Sequence, residues 1–367
     1  MSLFSPITVG SVTLLNRVVV SPMCQYSSDD GFASDWHLVH LGSRAVGGAA
    51  LLFVEATALS PEGRISSNDM GLWKDAHIEK LNQIVNFVHS QGACLGVQLA
   101  HAGRKASTRR PWEGEGVVSP SEGGWPDVFA PSAIPFAPNY LTPRALDRSG
   151  IEKILMDFRA AARRAREAGF DVVEIHAAHG YLIHEFFSPL SNYREDNYGG
   201  SFENRVRIVL EIVENVRIEW AGPLFVRISA TDWAEGGWDI TQSIRLAEIL
   251  KNSRVDLIDV SSGGLVPGVK LPAGPGYQPG FAAAIKRDTG IAVGSVGFIT
   301  DPAQADHIIR TGQADLVFIA REMLRDPYWT VHAAERLGMQ MSWPAQYLRA
   351  AKPGSIARQP QPTTIKR

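Results

Sequence analysis

Apolar residues fall in short unbroken runs, each followed by a longer stretch with helical spacing, and the two alternate along the chain. The first run is "RVVVSPM", Arg17 to Met23, and "DWHLVHLGSRAVGG" is the helical stretch after it. "ALLFVEATAL" then precedes "DAHIEKLNQIVNFVHSQG". "CLGVQLAHAG" is followed by an irregular insertion and then "GIEKILMDFRAAARRAREAG". "FDVVEIHAAHG" leads to "SFENRVRIVLEIVENVRIEW", and "PLFVRISATD" to "TQSIRLAEILKNSR". "VDLIDVSSGG", "IAVGSVGFI" and "ADLVFIARE" complete the series, each with its own helical partner. Runs without polar alternation are strands covered on both faces, as in a parallel sheet. Gly92, Gly169 and Gly290 stand just before strands, where a helix needs a left-handed C-cap. Eight such units over about 330 residues predict a (β/α)8 TIM barrel. An open doubly wound sheet is the alternative, but it needs a phosphate-binding glycine loop opening an early helix. "GPGYQPG" resembles one superficially, carries two prolines and reads as loop.

One barrel domain is therefore expected over residues 1–338. Residues 103–147 break the rhythm, being rich in Pro, Gly, Ser and Trp. A loop of that length after the third strand lies at the active-site face and serves there as lid or wall. The proline-rich tail, 339–367, is expected either to fray or to cross to a neighbouring subunit.

Composition narrows the class. Charged residues are 20% and the formal charge is -2, so nothing draws the chain to nucleic acid or to a membrane surface. The run "RRAR", Arg163 to Arg166, reads as a solvated helix face. Two cysteines, Cys24 and Cys94, exclude a disulfide framework, a four-cysteine zinc site and a cysteine-ligated iron–sulfur cluster. No signal peptide or membrane span is visible, and a cytoplasmic location is expected.

Barrel chemistry sits at the C-terminal ends of the strands. There the chain carries Pro22, Met23, Cys24 and Tyr26 on the first strand and Ala56 on the second. Gln98 and His101 follow on the third, His176, His179 and Tyr181 on the fourth, and Arg227 on the fifth. Val296 and Gly297 end the seventh, and Ala320 and Arg321 the eighth. The last two loops are the usual phosphate site of this fold. A glycine admits backbone N–H groups to a phosphate and an arginine matches it with a fork of donors.

In "DVVEIHAAHGYLIHEFF" two histidines three apart precede a tyrosine. Three readings stand: a metal site, ordinary core packing, or two neutral imidazoles donating N–H bonds to one substrate oxygen with Tyr181 as proton donor. A His-x-x-His pair directly after a strand is a weak zinc signal. A metal-dependent hydrolase or lyase using His176 and His179 is the alternative function.

These motifs resemble the Old Yellow Enzyme family of FMN-dependent ene-reductases, in its bacterial thermophilic-like subclass. "RVVVSPMCQYS", "VQLAHAGRKA", "EIHAAHGYLIHEFFSPLSNYREDNYGGSFENR", "VGSVGFIT" and "LVFIAREMLRDP" carry the resemblance. It implies an FMN held without a covalent bond by Ser21, Pro22, Met23, Cys24, Ala56, Gln98 and Arg227. Its phosphate falls to Val296, Gly297, Ala320 and Arg321. Cys24 tunes the flavin, and Tyr26 and Arg349 help to bind substrate, Arg349 by extending into a neighbour's site in a homodimer or homotetramer. His176 and His179 grip the oxygen of an enone, nitro compound or quinone, and Tyr181 protonates the α-carbon. NADPH reduces the flavin from the same pocket. Lys105 is expected to line the flavin pocket. The two cysteines and the length argue against superfamily members with an iron–sulfur cluster and further domains.

Overall fold

The structure is a computed structural model and describes residues 1–361. Eight parallel strands close into a barrel in chain order: β1 (Val18–Val20), β2 (Leu51–Ala58), β3 (Cys94–Ala100), β4 (Val172–Ala177), β5 (Leu224–Ser229), β6 (Leu257–Ser261), β7 (Ala292–Val296) and β8 (Leu316–Ile319). Around them run α1 (Asp35–Val46), α2 (Ile78–Ser90), α3 (Arg148–Ala168), α4 (Phe202–Glu219), α5 (Ile240–Asn252), α6 (Pro279–Thr289), α7 (Pro302–Arg310) and α8 (Trp329–Arg336). Side-chain oxygens start several of these helices. Asp147 accepts from Gly150 N–H, Ser201 from Asn204 N–H and Asp239 from Gln242 N–H. Gly169 and Gly290 end α3 and α6 in the left-handed conformation, as expected.

Alternate strand residues point into the barrel. Its lower interior is one apolar cluster of Val19, Leu51, Phe53, Cys94, Val172, Phe225, Leu257 and Phe318, among others. An N-terminal hairpin, Ile7–Val9 with Val12–Leu14, adds Val9 and Leu14 to that cluster and plugs the floor. Phe53 lies 5.9 Å from Phe225 and 6.0 Å from Phe318, ring to ring. Glycines make the room. A Cβ at Gly96 would collide with the Phe53 ring, and one at Gly294 with the Phe318 ring. Going up the same inward positions, the side chains turn polar: Gln98 on β3, Glu174 on β4, Arg227 on β5 and Asp259 on β6, all buried. The parallel register sets Gln98 beside Glu174, and Arg227 beside both His176 and Asp259.

The structure adds detail to three expectations. The first strand is shorter than "RVVVSPM" suggested, because the chain leaves the sheet after Val20 and 21–28 form an irregular loop. The insertion 103–147 is not featureless. It holds 3-10 turns at Gly103–Lys105, Pro111–Glu113 and Pro120–Glu122, and a small ladder pairs Phe129–Ala130 with Arg144–Ala145. The tail does not fray through residue 361. It turns back on its own barrel, where Arg358 donates to the carbonyls of Ala45, Gln91 and Ser342. Residues 362–367, the end of the expected tail, lie outside the described residues. Among the described residues, no helix is long and apolar enough to cross a membrane.

Overpacking a filled core costs about 1–3 kcal/mol. Gly294→Ala is therefore expected to lower thermal stability by that amount while keeping the circular dichroism of the barrel. A melting temperature equal to wild type would show that the Phe318 ring yields freely.

Candidate active site

The loop after β1 forms one wall. A bulge between Val54 and Ala56 in β2 interrupts the register at Glu55. Glu55 then accepts from the Gln25 backbone N–H at 2.8 Å and sits 3.1 Å from His37 Nε2, both partners buried. This pins the segment carrying Cys24 and Tyr26. The Cys24 thiol meets the Ala56 N–H and the Tyr26 hydroxyl. Burial, with the nearby Glu55 and Asp69 carboxylates, pushes the thiol well above its usual range, so Cys24 stays protonated. Tyr26 takes a positive φ of 50° and packs edge-on to Trp112 of the insertion at 5.8 Å.

The polar layer forms the floor. Arg227 donates to Ser21 Oγ at 3.1 Å, and its Nε lies 3.1 Å from Asp259 Oδ2. Gln98 Nε2 donates to Glu174 Oε1 at 2.7 Å, which leaves the Gln98 carbonyl as an acceptor. One guanidinium thus pairs with Asp259, while the buried Glu174 of the same layer is held by Gln98. Burial, then repulsion from Asp259, raises Glu174 well above the carboxylate range.

His176, His179 and Tyr181 converge on the mouth. The His176 ring lies 5.2 Å from His179 and 5.0 Å from Tyr181. His176 Nδ1 accepts the Ala178 N–H at 3.3 Å, so the neutral ring carries its proton on Nε2. His179 has a positive φ of 59°, which costs a non-glycine residue on the order of 1 kcal/mol. Its N–H donates to Ser229 Oγ at 2.9 Å and its Nε2 meets Ser261 Oγ at 2.7 Å. With the serine hydroxyl donating, Nδ1 bears the proton. Burial first, then the Arg227 charge, holds both imidazoles well below their ordinary value, and they are neutral donors. Burial keeps the Tyr181 phenol protonated.

A cavity of about 210 Å³ opens beside the floor, bounded by Val296, Gly297, Phe298, Ala320 and Arg321. Gly297 has φ 113°, and a Cβ there would stand 2.5 Å from Gln278 Nε2. Only glycine keeps this cradle open. Arg321 is exposed and lies over the Phe298 ring at 4.6 Å. Under the insertion a second cavity, about 300 Å³, is bounded by Tyr26, Ile65, Lys105, Tyr140 and Tyr181. A phosphate cradle, a polar floor and an adjoining substrate-sized cavity fit FMN, with Gly297 and Arg321 toward its phosphate and Gln98 and Arg227 toward its ring.

Ser21, Pro22, Met23, Cys24, Tyr26, Ala56, Gln98, His176, His179, Tyr181, Arg227, Val296, Gly297, Ala320 and Arg321 all lie at or border the C-terminal mouth. Arg349 does not join them. It is exposed on a 3-10 helix, 345–350, and its side chain has no hydrogen bond or ion pair among the described residues. Lys105 borders the substrate cavity and Tyr181. The sequence reading named nothing on β6, yet Asp259 and Ser261 serve the floor and His179. An acid and a serine two apart inside an apolar run were the available signal. "GPGYQPG", read as mere loop, supplies Tyr277 and Gln278 to the phosphate cavity.

A family model described as the NADH:flavin oxidoreductase / NADH oxidase family matches residues 2–340. The chain is 50% identical over 349 residues to an NADPH dehydrogenase of Geobacillus sp. (strain WCH70), covering 95% of this chain and 98% of that one. It is 49% identical over the same length to the NADPH dehydrogenase of Bacillus subtilis (strain 168), with the same coverage. A structure of morphinone reductase in complex with tetrahydroNAD superposes with a TM-score of 0.77 at 28% identity, over 94% of this chain and 93% of that one. The chain belongs to the NADH:flavin oxidoreductase / NADH oxidase family, and within it is an FMN-dependent, NADPH-driven oxidoreductase of the Old Yellow Enzyme type. Family membership supersedes the metal-dependent hydrolase or lyase alternative. Among the described residues, no group of three or more His, Cys, Asp or Glu side chains is placed to hold a metal ion.

Next to this site Glu185 is fully buried and accepts from Arg104 N–H at 2.8 Å, and burial lifts its carboxyl to about 8. Its pKa is raised on folding, so between about pH 4.5 and 8 the folded chain holds a proton that the unfolded chain has lost. The stability that this carboxyl contributes therefore falls as pH rises through that window, by at most about 1.4 kcal/mol per unit. Glu185→Gln is expected to flatten that slope in denaturant titrations at pH 5, 6, 7 and 8. An unchanged slope would assign the pH dependence elsewhere.

Proposed function

We propose that the protein reduces activated C=C bonds of α,β-unsaturated carbonyl compounds, and accepts nitro compounds and quinones, whose oxygens suit the same donors. The pair of neutral imidazoles beside a protonated phenol carries this reading. His176 Nε2–H and His179 Nδ1–H donate to the substrate oxygen. That draws electron density from the β-carbon and stabilises the enolate-like charge that develops. Tyr181 delivers its proton to the α-carbon. FMN, when bound, supplies the hydride that NADPH provides. Arg227 offers positive charge to the polar edge of the ring, and Cys24, a neutral thiol, adjusts the flavin's surroundings. Tyr26 holds the substrate from the opposite wall. NADPH and the enone use one mouth in turn, so the kinetics are ping-pong. The two free thiols suit a reducing cytoplasm.

An anaerobic cuvette tests this. The yellow protein should bleach with NADPH and recolour with cyclohexenone; bleaching without recolouring would rule out the enone. His176→Ala should keep FMN but lose about 10²–10³ in the rate of recolouring, the usual cost of one such donor.

We further propose that the enzyme is a homodimer or homotetramer in which Arg349 reaches a neighbour's substrate cavity. Its exposed, unpaired side chain supports this reading. Arg349→Ala should raise the KM for enone several-fold with the assembly intact by light scattering. Unchanged kinetics would confine Arg349 to the surface.

A further inference from the structure

Lys105 has an unusual setting. Its Nζ donates to the backbone carbonyl of His179 at 2.8 Å and to that of Gly264 at 2.5 Å. No carboxylate lies within ion-pair distance of it among the described residues. Aromatic faces enclose it instead: Phe136 of the insertion at 4.2 Å and Tyr181 at 5.5 Å.

The backbone explains why a donor is needed there. His179, Gly180, Gly263 and Gly264 all have positive φ. The two turns abut closely: a Cβ at Gly264 would stand 2.7 Å from His179 Cα, and one at Gly180 would collide with the Gly264 carbonyl. Both turns therefore aim a carbonyl at one small space. Facing carbonyl dipoles repel unless a donor sits between them. The ammonium satisfies both from a third element, the loop after β3. His179 is thereby fixed at each of its polar groups: its amide by β5, its ring by β6 and its carbonyl by Lys105.

We propose that Lys105 is a positioning residue for reduction. It locks the His179–Tyr181 turn so that the imidazole donor and the phenol proton face the same substrate. This inference rests on the donor role given above to His176 and His179. The ammonium acts by geometry and by field. It places positive charge near the oxygen that becomes enolate-like, and it makes protonation of either imidazole less favourable.

Titration supports the assignment. Burial, then the neighbouring Arg104 charge, brings the Lys105 ammonium down to about 7, against the pull of Glu185. The other ionisable groups facing it are His176 at the end of β4, His179 and Tyr181 on the turn, and Tyr26, Arg109, Glu115 and Tyr140 across the cavity. With its pKa at about 7 the group is half charged there, largely cationic a unit below and largely neutral a unit above.

The test uses the FMN-loaded enzyme with Lys105→Met, Lys105→Arg and His179→Ala side by side. Binding of a p-substituted phenol is read from the long-wavelength absorption of the phenolate on oxidised flavin, and cyclohexenone turnover is measured in parallel. Lys105→Met should bind FMN normally, weaken phenol binding at least tenfold and lower kcat at least tenfold, with KM changed less than threefold. Lys105→Arg should recover most of both. Phenol binding and kcat within twofold of wild type in Lys105→Met would overturn the proposal. If His179→Ala also behaved as wild type, the donor reading itself would fall; if only Lys105→Met did, the lysine inference alone would. Should Lys105→Met lose its FMN, the pH profile decides. Wild-type kcat is expected to decline above about pH 7, whereas the arginine variant stays charged and flat. Equal declines in both would overturn the proposal, since Glu185 and the other groups are common to them.

Discussion

Arg227 is the charge on which the site is built. It is buried at the level where the barrel interior turns from apolar to polar, with Asp259 on one side and Ser21 on the other. An unpaired guanidinium in such a layer would cost several kcal/mol, and one carboxylate suffices to balance it. Glu174 in the same layer is therefore surplus, and burial beside Asp259 keeps it protonated. In that state it still accepts from Gln98 and fixes the amide. Upward, burial first and this positive charge second hold His176 and His179 neutral. One side chain thus orders the floor and adds to the neutrality of both imidazoles above it.

The walls are built differently, by loops tied to the scaffold at a few points. Glu55 at the β2 bulge holds the Cys24–Tyr26 segment through Gln25 and His37. The insertion is fastened from outside: Arg64 lies 5.4 Å from the Trp73 ring and 4.8 Å from Trp125, and Trp125 Nε1 donates to Glu62 O. Rigid strands thus carry the atoms whose spacing matters, while the wall that meets variable substrates rests on aromatic and backbone contacts.

The barrel was legible because strands covered on both faces leave apolar runs that no surface element would tolerate. The mouth residues followed from position, since side chains at strand ends converge whatever their separation in sequence. Asp259 was missed for the complementary reason. It lies inside an apolar run, where attention to strand ends does not look, although period-two spacing placed it on the inner face. The insertion and tail were illegible because they have no period of their own. Trp125 and Arg358 are ordered by partners far away in sequence, and no local pattern announces such partners.

What each imidazole already touches bears on the choice between metal ligand and hydrogen-bond donor. A backbone amide can only donate, so His176 Nδ1 must accept from Ala178 and its Nε2 must carry the proton. Ser261 can take either role, but Arg227 and burial exclude the doubly protonated ring, and donation from the serine gives His179 one outward N–H. In that tautomer each ring gives its lone pair to the protein and leaves one N–H facing outward. A metal needs the reverse, a free lone pair held in place by a partner that takes the N–H proton. The second contacts of these histidines, which the sequence does not display, therefore separate the two chemistries that the His-x-x-His spacing left open.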